Sequence, residues 1–395
     1  MFVDQLKNNP NNNRIQSFSL KNTMNQNPQS LSLLFLSTPV GALGTGEGGG
    51  VELTIKNLAQ DLRHTQHQVT ILAPSGSHFE EIPIEPIAGN RQIPVQGEGR
   101  NAGIYLPPNS VLGNMCDYAR QVQADYDLIV NFAYDWLPFY LTPFFNTPIA
   151  HFISMGSMSD ALDQIMAQTI ERFPGTFGVY TKTQAETFPF ADACRCLSSG
   201  LDLGLYEFSA AHEQSLVWLG RIAPEKGLED AVAAVQQLGI PLKIFGWLQD
   251  QEYWQQILSQ YPNAPIEYGG FLSTTDLQQE IRRCRALLMT PRWVEAFGNV
   301  AIEALACGVP VISYQRGGPA EIIRDGETGF LVQPDSVEGL VKAINRIDEI
   351  DRWACRQQVE TEYSLSALRD RFLAWFDQIL YPSSVPPFQR GVRGG

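Results

Sequence analysis

The chain contains few basic residues and few cysteines, and no apolar run long enough to span a membrane. Of its 395 residues, 28 are lysine or arginine and 42 are aspartate or glutamate, which gives a formal net charge of −14. Nucleic-acid binders and membrane-surface binders need basic patches, so this balance argues against both as general activities. It leaves room for one local basic pocket that holds a phosphorylated small molecule, and peripheral contact with a membrane stays open.

The six cysteines are too few for a disulfide scaffold in a chain of this length. Cys194 and Cys196 are separated by one residue and have no second Cys/His cluster beside them, which makes a poor zinc site. We expect two buried or half-buried strand cysteines instead. No Asp-x-Asp follows a predicted strand end. The apolar stretch LSLLFL at 31–36 is too poorly flanked for a signal peptide, and a cytoplasmic location is predicted.

The two ends of the chain lack the pattern of a folded domain. Residues 1–30 include eight asparagines and four glutamines, and residues 382–395 are rich in proline and glycine. Polar segments of this kind cannot bury enough apolar surface to fold, so disorder is predicted for both. The remaining length suggests about two domains.

Short apolar runs alternate with amphipathic segments in two consecutive series. Because the runs are continuous and bounded by turn residues, each series indicates a parallel sheet covered by helices on both faces. The sequence therefore predicts an α/β fold with two facing, doubly wound, Rossmann-like domains, at 31–205 and 206–362. A cleft between them would be lined by the carboxyl ends of both sheets. The segment 76–108 has no clear period and is predicted to be irregular.

A glycine-rich loop follows the first predicted strand, and Gly44, Gly46 and Gly49 in it spell G-x-G-x-x-G. A dinucleotide-binding fingerprint needs a tight strand-to-helix turn and an acidic residue after the second strand. This loop is too long for that turn, and the second strand ends ILAPSGS without an acid, so an NAD-dependent dehydrogenase is disfavoured. A helix predicted near 50–64 still starts at these glycines. Its free N–H groups predict an anion site at Gly49 and Gly50.

A second group of residues that could bind an anion lies in VWLGRIAPEKGLEDAV at 217–232. Arg221 directly follows a predicted strand, and Lys226 opens the next helix. In this topology both cations face the cleft, where they could clamp a diphosphate. A surface loop with salt bridges is the alternative interpretation.

The most specific pattern is TPRWVEAFGNVAIEALACGVPVISYQRGGPAEII at 290–323. Glu295 lies in a loop after a predicted strand, and Glu303 follows eight positions later inside a helix. The two carboxylates therefore need not act as a pair: one can reach a sugar and the other a ribose. Gly298 and Asn299 place free N–H groups at the start of that helix, again suited to an anion.

Four pieces in order resemble the retaining glycosyltransferases of family 4: the early glycine loop, G-R-x4-K, E-x7-E with FG between, and GVPVI…GGPAEII…TGFLV. SSGLDLGLYEF also resembles the linker segment of that family. The resemblance covers about 350 residues and implies the GT-B fold. It further implies that a last helix, at 363–381, crosses back to the first domain.

The resemblance implies a role for each matching position. Arg221 and Lys226 would hold the donor diphosphate, and Glu303 would bind the ribose. Glu295 would contact the donor sugar, helped by the backbone of Phe297, Gly298 and Asn299. The remaining implied donor-side positions are Gly49, Gly50, Gly270, Phe271 and His151. The nucleobase would rest on Gly270 and Phe271. His151 would touch the sugar near its reacting face, although Phe152 replaces the acidic residue that often follows it in the family.

The implied reaction is metal-independent transfer of a hexose, with retention, from a nucleotide sugar such as UDP-glucose. FLSTPVGALGTGEGGGVELTIKNLA at 35–59 also resembles the start of UDP-glucose:tetrahydrobiopterin α-glucosyltransferases. That likeness implies a soluble reduced pterin as the acceptor, which Tyr134, Trp136 or Phe152 could stack. The alternatives are a lipid, polysaccharide or glycan acceptor and, more distantly, a non-catalytic protein that binds nucleotide sugars.

Overall fold

A computed structural model describes residues 30–45, 49–93 and 99–382 of the chain. The predicted disorder at 1–30 and 382–395 therefore lies almost wholly outside the described residues. The glycine loop is described except for residues 46–48.

The first domain is built on a seven-stranded sheet in which every strand runs parallel, in the order β3-β2-β1-β4-β5-β6-β7. Its strands are β1 (Ser32–Leu36), β2 (Gln68–Pro74), β3 (Ile84–Ile87), β4 (Leu128–Asn131), β5 (Ile149–Ile153), β6 (Phe177–Val179) and β7 (Arg195–Cys196). Its helices are α1 (Gly50–His64), α2 (Val111–Val122), α3 (Trp136–Leu141), α4 (Asp160–Arg172) and α5 (Lys182–Ala185). Except for Ser32 at the start of β1, the central strands β1, β4 and β5 are buried along their whole length, which explains their continuous apolar sequences.

The second domain repeats this design with six parallel strands in the order β10-β9-β8-β11-β12-β13. Its strands are β8 (Leu216–Leu219), β9 (Leu242–Phe245), β10 (Ile266–Tyr268), β11 (Leu287–Met289), β12 (Val311–Tyr314) and β13 (Gly329–Val332). Its helices are α6 (Leu228–Leu238), α7 (Gln251–Gln260), α8 (Thr274–Ile281), α9 (Asn299–Ala306), α10 (Pro319–Ile322), α11 (Val337–Arg346) and α12 (Arg352–Glu362). The predicted α/β fold with two Rossmann-like domains is therefore confirmed.

Two local predictions are wrong. The segment predicted as irregular contains β3, an edge strand whose sequence IEPI carries a proline and a glutamate that a central strand would not tolerate. Cys196 is exposed rather than buried, because β7 is a two-residue strand at the sheet edge.

The last helix, α13 (Leu365–Leu380), returns to the first domain, as predicted. Trp375 Nε1 donates to Gly175 O at 2.8 Å, and the rings of Phe372 and Phe152 lie 5.3 Å apart. Arg369 pairs with Asp61 of α1 at 2.9 Å. The chain thus passes between the domains twice.

A small set of contacts joins the two domains at the base of the cleft. Thr181 Oγ1 donates to Ala296 O at 2.8 Å, and the rings of Tyr180 and Phe297 lie 5.5 Å apart. Glu321 of α10 accepts the N–H groups of Lys182 and Thr183 at the start of α5. These contacts bring the carboxyl ends of both sheets to one cleft, where ligands bind in open α/β folds.

Candidate active site in the cleft between the domains

The cleft encloses about 2210 Å³ and is lined by both domains. Pockets for one small ligand usually measure about 300–1,000 Å³, so this cleft has room for two substrates. All of the predicted donor-side residues except Gly270 and His151 line it.

Arg221 lies on the second-domain wall, in the loop that follows β8. Its guanidinium donates to Glu225 Oε1 at 2.9 Å and also to Gln249 Oε1. The side chain of Arg221 is 37% exposed. A guanidinium has five N–H donors, so Arg221 can keep these partners and still bind a phosphate in the cleft.

Lys226, Glu295 and Trp293 form a compact cluster on the same wall. Lys226 Nζ lies 2.5 Å from Glu295 Oε2 and 4.9 Å from the centroid of the Trp293 ring. Trp293 Nε1 donates to the same carboxylate oxygen at 3.0 Å. Both charged side chains are less than one-fifth exposed, so their attraction is poorly screened by water. Sequence reasoning assigned Lys226 and Glu295 to different substrate groups, whereas the structure shows one unit; it also missed Trp293.

Arg292 fixes the loop that carries Trp293 and Glu295. Its side chain pairs with Glu229 at 2.7 Å and Asp230 at 2.9 Å, both on α6. Its backbone N–H donates to Glu225 O at 2.9 Å, in the loop that carries Arg221 and Lys226. Arg292 therefore ties the two loops with the predicted diphosphate and sugar residues to one helix.

Glu303 lies on α9, half-buried at the inner end of the cleft. Tyr206 donates its hydroxyl to Glu303 Oε1 at 3.3 Å. Burial raises the pKa of Glu303 to about 7, because a buried carboxylate loses its hydration. An ionised carboxylate with open lone pairs suits the two hydroxyl donors of a ribose.

The two domains also meet at the start of α9. Gly298 has φ of 96°, a conformation that glycine adopts without strain. Asn299 Nδ2 lies 3.4 Å from Gly50 O of α1, and a Cβ at Gly50 would come within 2.8 Å of that nitrogen. A side chain at residue 50 would therefore displace the Asn299 amide from this contact. Asn299 Oδ1 is buried without a hydrogen-bond partner in the described part of the chain.

Two exposed aromatic rings lie at the outer end of the second-domain wall. Phe271 is 66% exposed in the loop after β10, and Trp247 is 61% exposed in the loop after the neighbouring strand β9. Both line the cleft, whereas Gly270 does not. Sequence reasoning found Phe271 and missed Trp247. The signal available for Trp247 was its place directly after the strand PLKIFG.

The structure places His151 in the core of the first domain instead of at the cleft. Its ring nitrogens lie 3.2 Å from Asn131 Nδ2 and 3.0 Å from Thr142 Oγ1, and its ring packs against Phe139 and Phe177. Complete burial lowers the pKa of His151 to about 3, so the imidazole is neutral at pH 7. We therefore withdraw His151 from the set of residues that contact the sugar.

The first-domain wall carries residues that sequence reasoning missed. Asp135 and Gln92 line it, and Gln92 Nε2 donates to Asp135 Oδ2 at 2.9 Å. Of the three aromatics expected to stack an acceptor, only Tyr134 lines the cleft. Phe152 is buried in the core, where it packs against Phe132 and Tyr180.

Comparison with known proteins finds a family likeness over most of the second domain. Residues 209–360 match the family described as Glycosyl transferases group 1. This segment is therefore similar to group 1 glycosyltransferases. It contains Arg221, Lys226, Glu295 and Glu303, and so the whole charged wall of the cleft.

Relatives and solved structures agree with the group 1 match. Glycogen synthase of Mycobacterium tuberculosis is 31% identical over 166 residues, which make up 38% of this chain and 39% of that enzyme. Anabaena HepE, solved with UDP-glucose, superposes with a TM-score of 0.69 and 18% identity over 87% of this chain and 98% of its own. Sucrose-phosphate synthase of Thermosynechococcus elongatus gives a TM-score of 0.70 and 19% identity over 89% and 100% of the two chains. These structural likenesses show that the fold is GT-B.

Among the described residues, no group of three or more His, Cys, Asp or Glu side chains is arranged to hold a metal ion. No helix in this part of the chain combines the length and the apolar character needed to cross a membrane.

Proposed function

We propose that this protein is a retaining, metal-independent glycosyltransferase that moves glucose from UDP-glucose to a hydroxyl group of an acceptor. The observation that carries the proposal is the convergence of Arg221, Lys226, Glu295 and Glu303 on one wall of a cleft that has room for two substrates. The fold is shared with HepE, which was solved with UDP-glucose, and this supports the choice of donor.

The two cations would stabilise the leaving group. Breaking the glycosidic bond develops negative charge on the diphosphate, and preorganised donors at that position lower the barrier without reorganising. Arg221 would grip the phosphates with its planar fork, and Lys226 would act as a compact point charge. Together with the N–H groups at the start of α9, they supply the positive charge that a divalent metal supplies elsewhere.

The pairing of Lys226 with Glu295 suggests how the sugar is aligned on the phosphate. An ammonium group has three donors, so Lys226 can keep its bond to Glu295 and still donate to a phosphate oxygen. The open lone pairs of Glu295 then lie beside the same ammonium, where they can accept sugar hydroxyls. Phosphate and sugar would be held by one rigid unit, which favours a reactive geometry.

The ribose and the base of the donor would lie at the two ends of the second-domain wall. Glu303 would accept hydrogen bonds from the ribose hydroxyls, and Phe271 and Trp247 offer exposed faces on which a base can stack. For the acceptor we propose a reduced pterin, on the strength of the resemblance of residues 35–59. Same-face attack would let the leaving phosphate take the proton of the acceptor hydroxyl, so no side chain is assigned as general base.

Binding measurements on the full chain test the donor. Saturation-transfer NMR and thermal shift with UDP-glucose, GDP-mannose and NADH should show a response to UDP-glucose that Glu303→Ala removes. Binding of NADH alone would overturn the proposal. A screen of acceptors with radiolabelled UDP-glucose, including a reduced pterin and oligosaccharides, then tests the acceptor.

A further inference from the structure

Unpaired buried polar atoms are concentrated in the cleft. Folded proteins leave few buried polar atoms without a hydrogen-bond partner, and each one calls for an explanation. In the described part of the chain six side-chain atoms are buried and unpaired, and three of them belong to residues that line the cleft: Thr38 Oγ1, Gln92 Oε1 and Asn299 Oδ1.

Two of these three residues lie together on the first-domain wall, beside Asp135. Gln92 is more than nine-tenths buried; its backbone N–H donates to Pro39 O at 3.1 Å, next to Thr38. Its side-chain Nε2 donates to Asp135 Oδ2 at 2.9 Å and to Tyr105 O at 3.3 Å. The three residues follow β1, β3 and β4, whose carboxyl ends reach the same edge of the sheet.

This cluster is rich in hydrogen-bond acceptors. Asp135 receives the N–H of Leu137 on one oxygen and Gln92 Nε2 on the other, which leaves lone pairs open on both. Gln92 Oε1 can only accept, and the Thr38 hydroxyl can accept or donate. No lysine or arginine forms an ion pair with Asp135 among the described residues. Burial raises the pKa of Asp135, as expected for a carboxylate with no cationic partner.

We propose that Thr38, Gln92 and Asp135 form the acceptor subsite, and that it selects an uncharged molecule with adjacent N–H or O–H groups over a phosphorylated one. The inference rests on the proposed function, because it takes the opposite wall to be the donor side. A ligand with two neighbouring donors would satisfy Asp135 and Gln92 together. A phosphate would meet the Asp135 carboxylate, which has no cationic partner among the described residues, and this costs binding energy. The amine-bearing edge of a pterin and the vicinal hydroxyls of a sugar share this donor chemistry.

Measurements of direct binding can distinguish a pterin from a sugar as the ligand of this subsite, and they do not require the enzyme to turn over. Saturation-transfer NMR would measure wild-type protein with tetrahydrobiopterin, maltose and glucose 6-phosphate, each in the absence of nucleotide sugar. We expect one of the two neutral probes to bind at least about tenfold more tightly than glucose 6-phosphate, since one lost charge-assisted hydrogen bond is worth roughly this factor. Tighter binding of glucose 6-phosphate, or binding of none of the three, would overturn the inference.

Thr38→Val is the sharpest variant, because the hydroxyl that it removes has no partner in the described part of the chain. The thermal midpoint should not fall, yet the dissociation constant of the bound neutral probe should rise about fivefold to tenfold. Ser199→Ala is the matched control: Ser199 Oγ is also buried and unpaired, but Ser199 does not line the cleft. The control should bind the probe as wild type does.

Asp135→Asn tests the charge. Asparagine can still accept the Leu137 N–H and cap α3, so the fold should survive. Neutral-probe binding should weaken, and the discrimination against glucose 6-phosphate should shrink. If Thr38→Val and Asp135→Asn both bind the neutral probe as wild type does, the subsite is refuted. A separate titration with UDP-glucose shows whether the donor proposal has failed as well, since that ligand needs Glu303 and none of these three residues.

Discussion

The two walls of the cleft differ in how their polar groups are satisfied. On the second-domain wall both cations are already paired, Lys226 with Glu295 and Arg221 with Glu225, although Glu303 has only the Tyr206 hydroxyl and Asn299 Oδ1 is unpaired in the described part of the chain. On the first-domain wall Thr38 and Gln92 carry unpaired atoms, and Asp135 has no cationic partner in the described part of the chain. A wall that binds a charged diphosphate must keep strong cations in place, and paired carboxylates do so. A wall that binds a neutral molecule can leave weaker groups open.

The largest effect on the rate of transfer should come from removing Lys226, which is paired with Glu295 on the second-domain wall. Lys226→Ala removes the point charge on the leaving group and should lower kcat by roughly 10²–10³, as loss of one preorganised donor does in other enzymes. Steady-state transfer assays with radiolabelled UDP-glucose measure this.

A lysine elsewhere on the second domain controls for the loss of positive charge. Lys342 is 72% exposed and pairs with Glu338 on the surface of α11, so Lys342→Ala should transfer at the wild-type rate. An active Lys226→Ala protein would remove Lys226 from the site.

Glu303→Gln should weaken UDP-glucose binding about 10- to 100-fold, because a charge-assisted hydrogen bond to the ribose becomes a neutral one. Burial raises the folded pKa of Glu303 from 4.5 to about 7, and binding favours the ionised form. Wild-type affinity should therefore fall as the pH drops below 7, while that of the variant stays flat. Calorimetric titrations from pH 5.5 to pH 8.5 would show both.

The same substitution should change stability in the opposite direction. Because the folded pKa is raised, the ionised carboxylate destabilises the fold as the pH rises from 4.5, and the penalty is complete above 7. Glu303→Gln should raise the free energy of unfolding at pH 8 by up to roughly 3 kcal/mol and change little near pH 4.5. Equal stabilisation at both pH values would contradict the assignment.

Variants of Arg292 test whether its ion pairs with Glu229 and Asp230 hold the loops of the second-domain wall in place. Arg292→Ala leaves Glu229 and Asp230 without their cation and frees the loop of Trp293 and Glu295, so kcat should fall about tenfold with a smaller change in donor KM. Arg292→Lys should restore part of kcat, since lysine replaces the charge but not the fork. A pure loss of stability with normal kcat would mean that Arg292 supports the fold alone.

His151 should have the smallest effect on transfer. His151→Leu removes a buried ring whose two neighbours keep other hydrogen bonds: Asn131 Nδ2 also donates to Ala133 O, and Thr142 Oγ1 to Pro138 O. Chemical denaturation should show a loss of about 1–3 kcal/mol. Transfer below the unfolding transition should be unchanged. A large fall in kcat with normal stability would restore His151 to the site.

The difference between the walls also explains what the sequence could predict. Arg221, Lys226, Glu295 and Glu303 lie at fixed spacings after buried strands, so a local pattern found them. Asp135 and Gln92 meet only because β3 and β4 end at one edge of a folded sheet, and β3 itself lies in a segment without a period. The two residues are close only in the tertiary structure, so their spacing along the chain could not predict the contact.

The wrong predictions for His151 and Phe152 also arise because tertiary packing cannot be read from local sequence. His151 is the middle residue of the apolar strand β5, and only the fold decides which side of the sheet it faces and that Asn131 and Thr142 are its hydrogen-bond partners. Phe152 was expected at the acceptor, but it lies under α13, which comes from the other end of the described chain.

The return of α13 to the first domain has a consequence for biosynthesis. A ribosome releases the first sheet early, yet Phe372 and Trp375, which cover Phe152 and Gly178, emerge only after the entire second domain. The second domain lies in the chain between α13 and the rest of the first domain, so the first sheet still exposes an apolar face when the second domain has been made. The domain that is made first is therefore completed last, and a nascent chain stalled before α13 should depend on chaperones.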